Sequence, residues 1–297
     1  MPDMEHTKNS PNLTNFRNTR AARGLTRTLQ YAVLIILAIV LVFPYFYMFI
    51  RSFMTSDQVK LYPVEFWPAP FSVQGWSMFF EGDYIKAFLR TVLIVGINVI
   101  VVPCSASLVA YGFAKIKFLG SGLLFAVMLA TMMIPGVVTQ IPLYVMYTNL
   151  GWTNTILPFV IPNFFGGGAI YIFLIRQFMK GIPNEMDNAA RLDGANLFQR
   201  YLLITVPLCI PVLIFVMVSV FNAYWGDFYG PLLYMNQEGK ETLAFKIYQD
   251  VTVQNVTKDK ENLRMASGVF MSILPMIFFI LFQKQLIEGV AVDGLKG

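Results

Sequence analysis

The chain has 297 residues, of which 56% are hydrophobic and 13% charged. A soluble domain carries about 25% charge, so a water-soluble globular fold is excluded and an integral membrane protein is expected. The formal net charge of +5 needs no nucleic acid to explain it, because the basic residues fall where membrane topology demands them.

Residues 1–30 form a polar tail with His6, the single histidine, and with Lys8, Arg17, Arg20, Arg23 and Arg27. A lone tail histidine removes most metal-hydrolase readings. The tail is too long and polar for a cleavable signal, and no small-residue cleavage site follows the first apolar run. That run is expected to stay as a signal anchor. Six segments reach the ~20 apolar residues that a helix needs to cross a bilayer: Tyr31–Ile50, Thr91–Gly112, Phe118–Ile141, Thr155–Ile175, Leu202–Ala223 and Ala266–Phe282. None contains Asp, Glu, Lys, Arg or His. They are too long for barrel strands and show no polar–apolar alternation, so they read as helices. The expectation is an all-α membrane protein of six transmembrane helices over residues 31–282, with a C-terminal tail at 283–297. Pro44, Pro103, Pro135, Pro158, Pro162, Pro207, Pro211 and Pro275 lie in these spans. They mark kinks whose freed carbonyls neighbours must satisfy, as packing features or as hinges. Cys104 and Cys209 also lie in the spans and read as small buried hydrophobes rather than a disulfide.

Lys and Arg set the orientation. The N-terminal tail, the second connection with Lys115 and Lys117, and the fourth connection (176–201) with Arg176, Lys180, Arg191 and Arg200 are basic; the third is not. The positive-inside rule puts these basic segments and both termini in the cytoplasm. The fifth connection, 224–265, has mixed charge and is expected to fold outside. The loop from Phe53 to Ala87 gives no assignable pattern.

The fourth connection carries a short helix of its own, GIPNEMDNAARLDGAN. Pro183 disfavours helix before it, Asn184 suits an N-cap, and Asp187 stands where a capping box needs it. Glu185 and Asp187 place negative charge in the first turn. Asp187 and Arg191 have i, i+4 spacing. Gly194 suits a left-handed stop. Met186, Ala189, Ala190 and Asp193 share one shallow face. Such a helix either docks into a groove on another protein or lies on the membrane surface.

Asn188-Ala189-Ala190, three residues, Gly194, nine residues and Ile204-Thr205-Val206-Pro207 resemble the cytoplasmic signature of ABC importer permeases, Glu-Ala-Ala, three residues, Gly, nine residues, Ile-x-Leu-Pro. Asn188 replaces the family Glu and Val206 the family Leu. In the family that Glu is expected to make a charged contact with the ATPase; here either Asn188 makes a neutral hydrogen bond instead, or Asp187 or Glu185 supplies the charge. AYGFAKIKFLG, IPLYVMYTNLGWTNT, IRQFMKGIPNEMDNAARLDGA and the C-terminal QKQLIEGVAVDGLKG resemble the second permease of maltose-type carbohydrate importers.

The resemblance implies a type I ABC importer permease fold in a bacterial inner membrane. It implies partnership with a second permease, two ATPase subunits and an external solute-binding protein, and a carbohydrate as cargo. Glu185, Met186, Asp187, Asn188, Ala189, Ala190, Asp193 and Gly194 would form the coupling helix and its end. ATP and Mg would belong to the partner ATPase, with no cofactor on this chain. The fifth connection would reach the binding protein's cleft, or be a solvated loop; the terminal DGLKG would touch the ATPase assembly, or fray. The residues themselves agree. No intramembrane acid is present to carry a proton relay, and no Gly-x4-Gly-Lys-Ser/Thr loop is present to bind ATP. His-Glu-x-x-His and Gly-x-Ser-x-Gly are missing as well, so an enzyme is not expected. Asn222, Tyr224, Trp225 and Asp227 could line a sugar path, with Tyr224 and Trp225 alternatively in the aromatic belt. Gly166, Gly167 and Gly168 would let helices approach closely. A permease for a peptide or phosphate ester, and a stand-alone secondary carrier, are the competing readings.

Overall fold

The computed structural model of the chain describes residues 20–81, 83–252 and 260–294. The expected tail up to Thr19 and the last three residues of DGLKG lie outside the described residues.

The chain opens with α1 (Arg20–Arg51), then two short helices, α2 (Ser56–Lys60) and α3 (Gln74–Glu81), and the long α4 (Tyr84–Lys115). After these come α5 (Ser121–Thr131), α6 (Gly136–Asn149), α7 (Leu157–Val160) with a 3-10 turn over Ile161–Phe165, and α8 (Ala169–Lys180). The remainder comprises α9 (Asn184–Leu192), α10 (Leu197–Arg200) running into a π-turn at Tyr201–Thr205, α11 (Val206–Leu208), α12 (Ile210–Trp225), α13 (Tyr229–Tyr234), α14 (Leu243–Thr252) and α15 (Glu261–Gly294). All-α architecture is as expected. Among the described residues four segments are long and apolar enough to cross a membrane: Thr26–Arg51, Tyr84–Lys115, Leu157–Lys180 and Glu261–Lys284.

The third and fifth expected spans are broken. α5 and α6 meet at 94°, and the α10–α11 stretch meets α12 at 76°. Counting each bent pair as one crossing gives six. Proline explains both breaks. Pro135 has no N–H for the carbonyl of Thr131, and its ring collides there; α5 ends at Thr131. Pro211 stands in the same relation to Pro207, and the chain turns between them at Cys209, with φ −90° and ψ 1°. Helix ends also differ from expectation. α4 starts at Tyr84 rather than Thr91, and α15 runs well beyond Ala266–Phe282 on both sides.

Packing centres on α4. Val95, Val99, Val102, Ala106, Ala110 and Tyr111 form its buried stripe. Ile172, Ile175 and Met179 of α8 close on one side, and Val212, Val216, Val220 and Phe221 of α12 on the other. Lipid is as apolar as these side chains, so close packing and interhelical hydrogen bonds hold the helices rather than escape from water. Gly167 shows how tight the fit is: a Cβ there would lie 2.5 Å from Val102 Cγ1, and its φ of +64° suits glycine.

A hydrogen bond covers the carbonyl that a third proline frees. Pro275 inside α15 leaves the carbonyl of Met271 without its helical donor. The indole N–H of Trp225 donates to that carbonyl at 2.8 Å. Trp225→Phe should therefore lower the melting temperature of the detergent-solubilised protein, by a bond worth about 0.6–2 kcal/mol. Pro275→Ala restores a backbone donor, so the same Trp225 change should cost less on that background. An equal cost on both backgrounds would show that the indole contributes packing alone.

Candidate functional site

α9 has nine residues and none of them is buried. Its first residue is Asn184 and its N-cap is Pro183, with no side-chain cap bond. The expected N-cap role of Asn184 and the capping box of Asp187 are not formed, because both side chains are used elsewhere. Asn184 Oδ1 accepts from Lys115 Nζ at 3.1 Å. Asp187 Oδ2 pairs with Arg200 Nη1 at 2.6 Å, not with Arg191. The expected stop does form. Gly194 takes φ +86°, the N–H of Ala195 donates to the carbonyl of Ala190 at 2.9 Å, and that of Gly194 to Arg191 at 3.2 Å. These two bonds define a Schellman end.

Ala190 is half-buried; Met186, Ala189 and Asp193 of the same face are exposed, as are Glu185 and Asn188. Leu192, which no sequence pattern marked, is 89% exposed. An apolar side chain so open, beside a face of alanines, leaves a surface that a protein groove can cover closely.

A helix with no buried residue needs polar anchors, and α4 supplies them at i, i+4 and i+8. Ser107 Oγ and the Tyr201 hydroxyl are 2.7 Å apart. The Tyr111 hydroxyl donates to the carbonyl of Leu197 at 3.4 Å. Lys115 Nζ donates to the carbonyl of Ile182 at 2.9 Å as well as to Asn184. One face of the central helix thus grips the connection before, after and at the start of α9. The 3.6-residue helical repeat puts those three residues in line, but nothing in the sequence says what they hold.

A second polar cluster lies within the bundle. Asn98 of α4 is fully buried, and its Nδ2 donates to the carbonyl of Phe159 at 2.9 Å. Asn163 Nδ2 lies 2.8 Å from Asn98 Oδ1, 2.9 Å from the Phe159 carbonyl and 2.6 Å from the Tyr224 hydroxyl. Ser105 Oγ donates to the carbonyl of Asn163 at 2.7 Å. The cluster satisfies the irregular backbone at Ile161–Phe165, which at membrane depth must be buried in protein. An amide NH2 only donates, so the Tyr224 hydroxyl accepts at this contact and keeps its own proton, while the two amide protons are shared among the three oxygens. Asn98 and Asn163 went unnoticed in the sequence, although carboxamides in otherwise apolar spans were a usable signal.

The four residues expected near a sugar path separate. Asn222 is exposed and Tyr224 belongs to the buried cluster. Trp225 is 4% exposed and stacked on Phe221, with ring centroids 5.6 Å apart. Asp227 Oδ1 accepts from the N–H groups of Tyr229 and Gly230, both at 3.0 Å, and starts α13.

The fifth connection is folded onto the other end of α4. Arg90 donates to the carbonyls of Glu241 at 2.6 Å and Gly239 at 2.8 Å. Thr91 Oγ1 accepts from the N–H of Leu243 at 2.8 Å. The Tyr84 hydroxyl bonds Asp250. Residues 253–259 of this connection lie outside the described residues. Among the described residues no cluster of His, Cys, Asp or Glu is arranged to hold a metal.

The fold and its exposed polar-anchored helix define a multi-span membrane protein of the permease type. Residues 105–292 match the family described as binding-protein-dependent transport system inner membrane component, and the chain belongs to that family. It is 26% identical over 270 residues to the arabinooligosaccharides transport system permease protein AraQ of Bacillus subtilis (strain 168), covering 88% of this chain and 92% of that one. It is 29% identical over 239 residues to the maltose/maltodextrin transport system permease protein MalG of Escherichia coli (strain K12), covering 77% and 75%. In fold it resembles a chain of the crystal structure of a bacterial ABC transporter involved in the import of the acidic polysaccharide alginate, with a TM-score of 0.78 at 20% identity, covering 90% of this chain and 98% of that one.

Lys115→Met removes both donors to the approach of α9. Amide hydrogen exchange over Glu185–Leu192 should then rise by at least about tenfold, a loss of about 1.4 kcal/mol, while exchange in α4 stays as it was. Unchanged protection of α9 would mean that the stripe on α4 does not hold it.

Proposed function

We propose that this chain is one of two permease subunits of an ATP-driven importer that carries a carbohydrate into a bacterial cytoplasm. The observation that carries the reading is α9: a helix with no buried residue, stopped at Gly194, whose start is held by Lys115 and whose following segment is held by Ser107 and Tyr111, all on the helix around which the core packs. A push on α9 is thereby delivered to α4, and from α4 to α8 and α12. Alternating access then follows as a rigid-body switch between inward-open and outward-open arrangements. ATP and Mg belong to the partner ATPase in this reading. Each bent helix pair counts as one crossing, giving six spans, with both termini on the cytoplasmic side of the inner membrane.

Met186, Ala189, Ala190, Asp193 and Leu192 form the face seated in the ATPase. Asp187 is engaged by Arg200, so Glu185 supplies the carboxylate that the family pattern places at Asn188, and Asn188 contributes a neutral hydrogen bond. Carbohydrate cargo is supported by the relatives, permease proteins of arabinooligosaccharides and maltose/maltodextrin transport systems. On this chain the Tyr224 hydroxyl, with its unspent proton, and the exposed Asn222 amide are the groups suited to sugar hydroxyls. A second permease and an external solute-binding protein complete the assembly.

The test is co-purification from the native membrane followed by reconstitution. The chain should bring an ATPase and a second permease, and an oligosaccharide presented with its binding protein should stimulate ATP hydrolysis more than peptides or phosphate esters do. Ala190→Asp puts a charge on the seated face, and Gly194→Pro forbids the φ of +86°. Either should cut uptake by more than about tenfold, about 1.4 kcal/mol of coupling, with membrane insertion intact. Normal uptake by correctly inserted mutants would remove α9 from the coupling role.

A further inference from the structure

The connection between α2 and α3, Leu61–Val73, reads LYPVEFWPAPFSV and has a single charged residue, Glu65. Its apolar side chains point outward. Tyr62 is 94% exposed, Trp67 68%, Phe71 65% and Phe66 56%. A soluble loop this rich in open aromatic rings would be an aggregation hazard in water.

The loop does not project away from the bundle. The Phe66 ring lies 5.8 Å from that of Tyr47 in α1, and Phe71 stacks on Phe53 at 5.2 Å. The N–H of Ser72 donates to the carbonyl of Phe53 at 2.8 Å. Tyr47 is a full turn inside the end of α1, about 6 Å below Arg51. Arg51 is the first charged residue after the apolar run of α1 and so marks the headgroup level. Its guanidinium donates to the Tyr47 hydroxyl at 2.9 Å and bonds the carbonyl of Val59. The chain has therefore turned back along the last turns of a membrane span: the ring of Phe66, against Tyr47, sits at or below the level of Arg51, and Trp67 follows it in the chain. At that depth the neighbouring phase is the boundary between headgroups and acyl chains, where Trp and Tyr partition. Backbone chemistry agrees. Pro63, Pro68 and Pro70 have no N–H, so three donors that a water-poor layer would leave unsatisfied are missing from the start.

We propose that Leu61–Val73 is an interfacial anchor, with Tyr62, Phe66, Trp67 and Phe71 inserted into the lipid leaflet in which α1 ends. Its solid support is the network behind it: Trp76 Nε1 donates to Ser52 Oγ at 3.1 Å, and Ser56 Oγ donates to Asn262 Oδ1 at 2.8 Å. The anchor thus holds α2, α3 and the start of α15 at the membrane surface. The orientation proposed above makes this the outer leaflet; the inference rests on depth and is independent of which side that is.

The chain, purified with its partner subunits, is placed in nanodiscs of phosphatidylcholine, either plain or brominated on the acyl chains close to the headgroup. Subtracting the tryptophan emission of Trp67→Phe from that of the wild type isolates Trp67. The isolated emission should lose most of its intensity in the brominated lipid and little to iodide in the buffer. Phe66→Trp should add an emission with the same behaviour, which keeps the test open if Trp67→Phe assembles poorly. Quenching by iodide in place of lipid overturns the proposal in favour of a solvated loop. Quenching by neither, or shielding from iodide that develops only when solute-binding protein is added, overturns it in favour of a protein-docking surface.

Discussion

In hydrocarbon every backbone N–H and C=O must be satisfied inside the protein, and this chain makes that hard by breaking its helices repeatedly. The breaks at Pro135, Pro211, Ile161–Phe165 and Pro275 each open backbone groups at membrane depth. α4 meets the Ile161–Phe165 break, through Ser105 to the carbonyl of Asn163 and Asn98 to that of the neighbouring Phe159. It carries Arg90, Thr91, Asn98, Ser105, Ser107, Tyr111 and Lys115, and each binds a segment distant in sequence. Trp225 does the same for the carbonyl below Pro275. The irregular segments are held in place because one long, mostly apolar helix has polar groups where they are needed.

The same arrangement decides how force can enter. α9 has no buried residue, and the polar links around it are those of Lys115, Tyr111, Ser107 and the Asp187–Arg200 pair. The first three of these links end on α4, whose opposite end grips the fifth connection through Arg90 and Thr91. A single rigid element thus joins the exposed helix at one end of the bundle to a folded loop at the other.

Asn188 in place of the family Glu is the visible departure on α9. The structure shows why the neighbouring carboxylates are not equivalent substitutes: Asp187 is spent on Arg200, and Glu185 is open to solvent.

Sequence alone determined the all-helical membrane class, because long charge-free apolar runs have no other stable form in lipid. It also determined the nine-residue helix of the fourth connection and its stop at Gly194, since those are local matters of capping and φ. It did not determine the partners. Asp187 had Arg191 at the right spacing, yet pairs with Arg200, and Asn184 gave up its cap to Lys115. Trp225 looked like a belt or sugar-path residue and is a buried donor to Met271. The α5–α6 bend was marked by a proline whose angle no pattern could supply. For Asp187 and Asn184 a hydrogen bond to a residue further along the chain won over a local one, and only the tertiary structure decides which distant groups stand within reach.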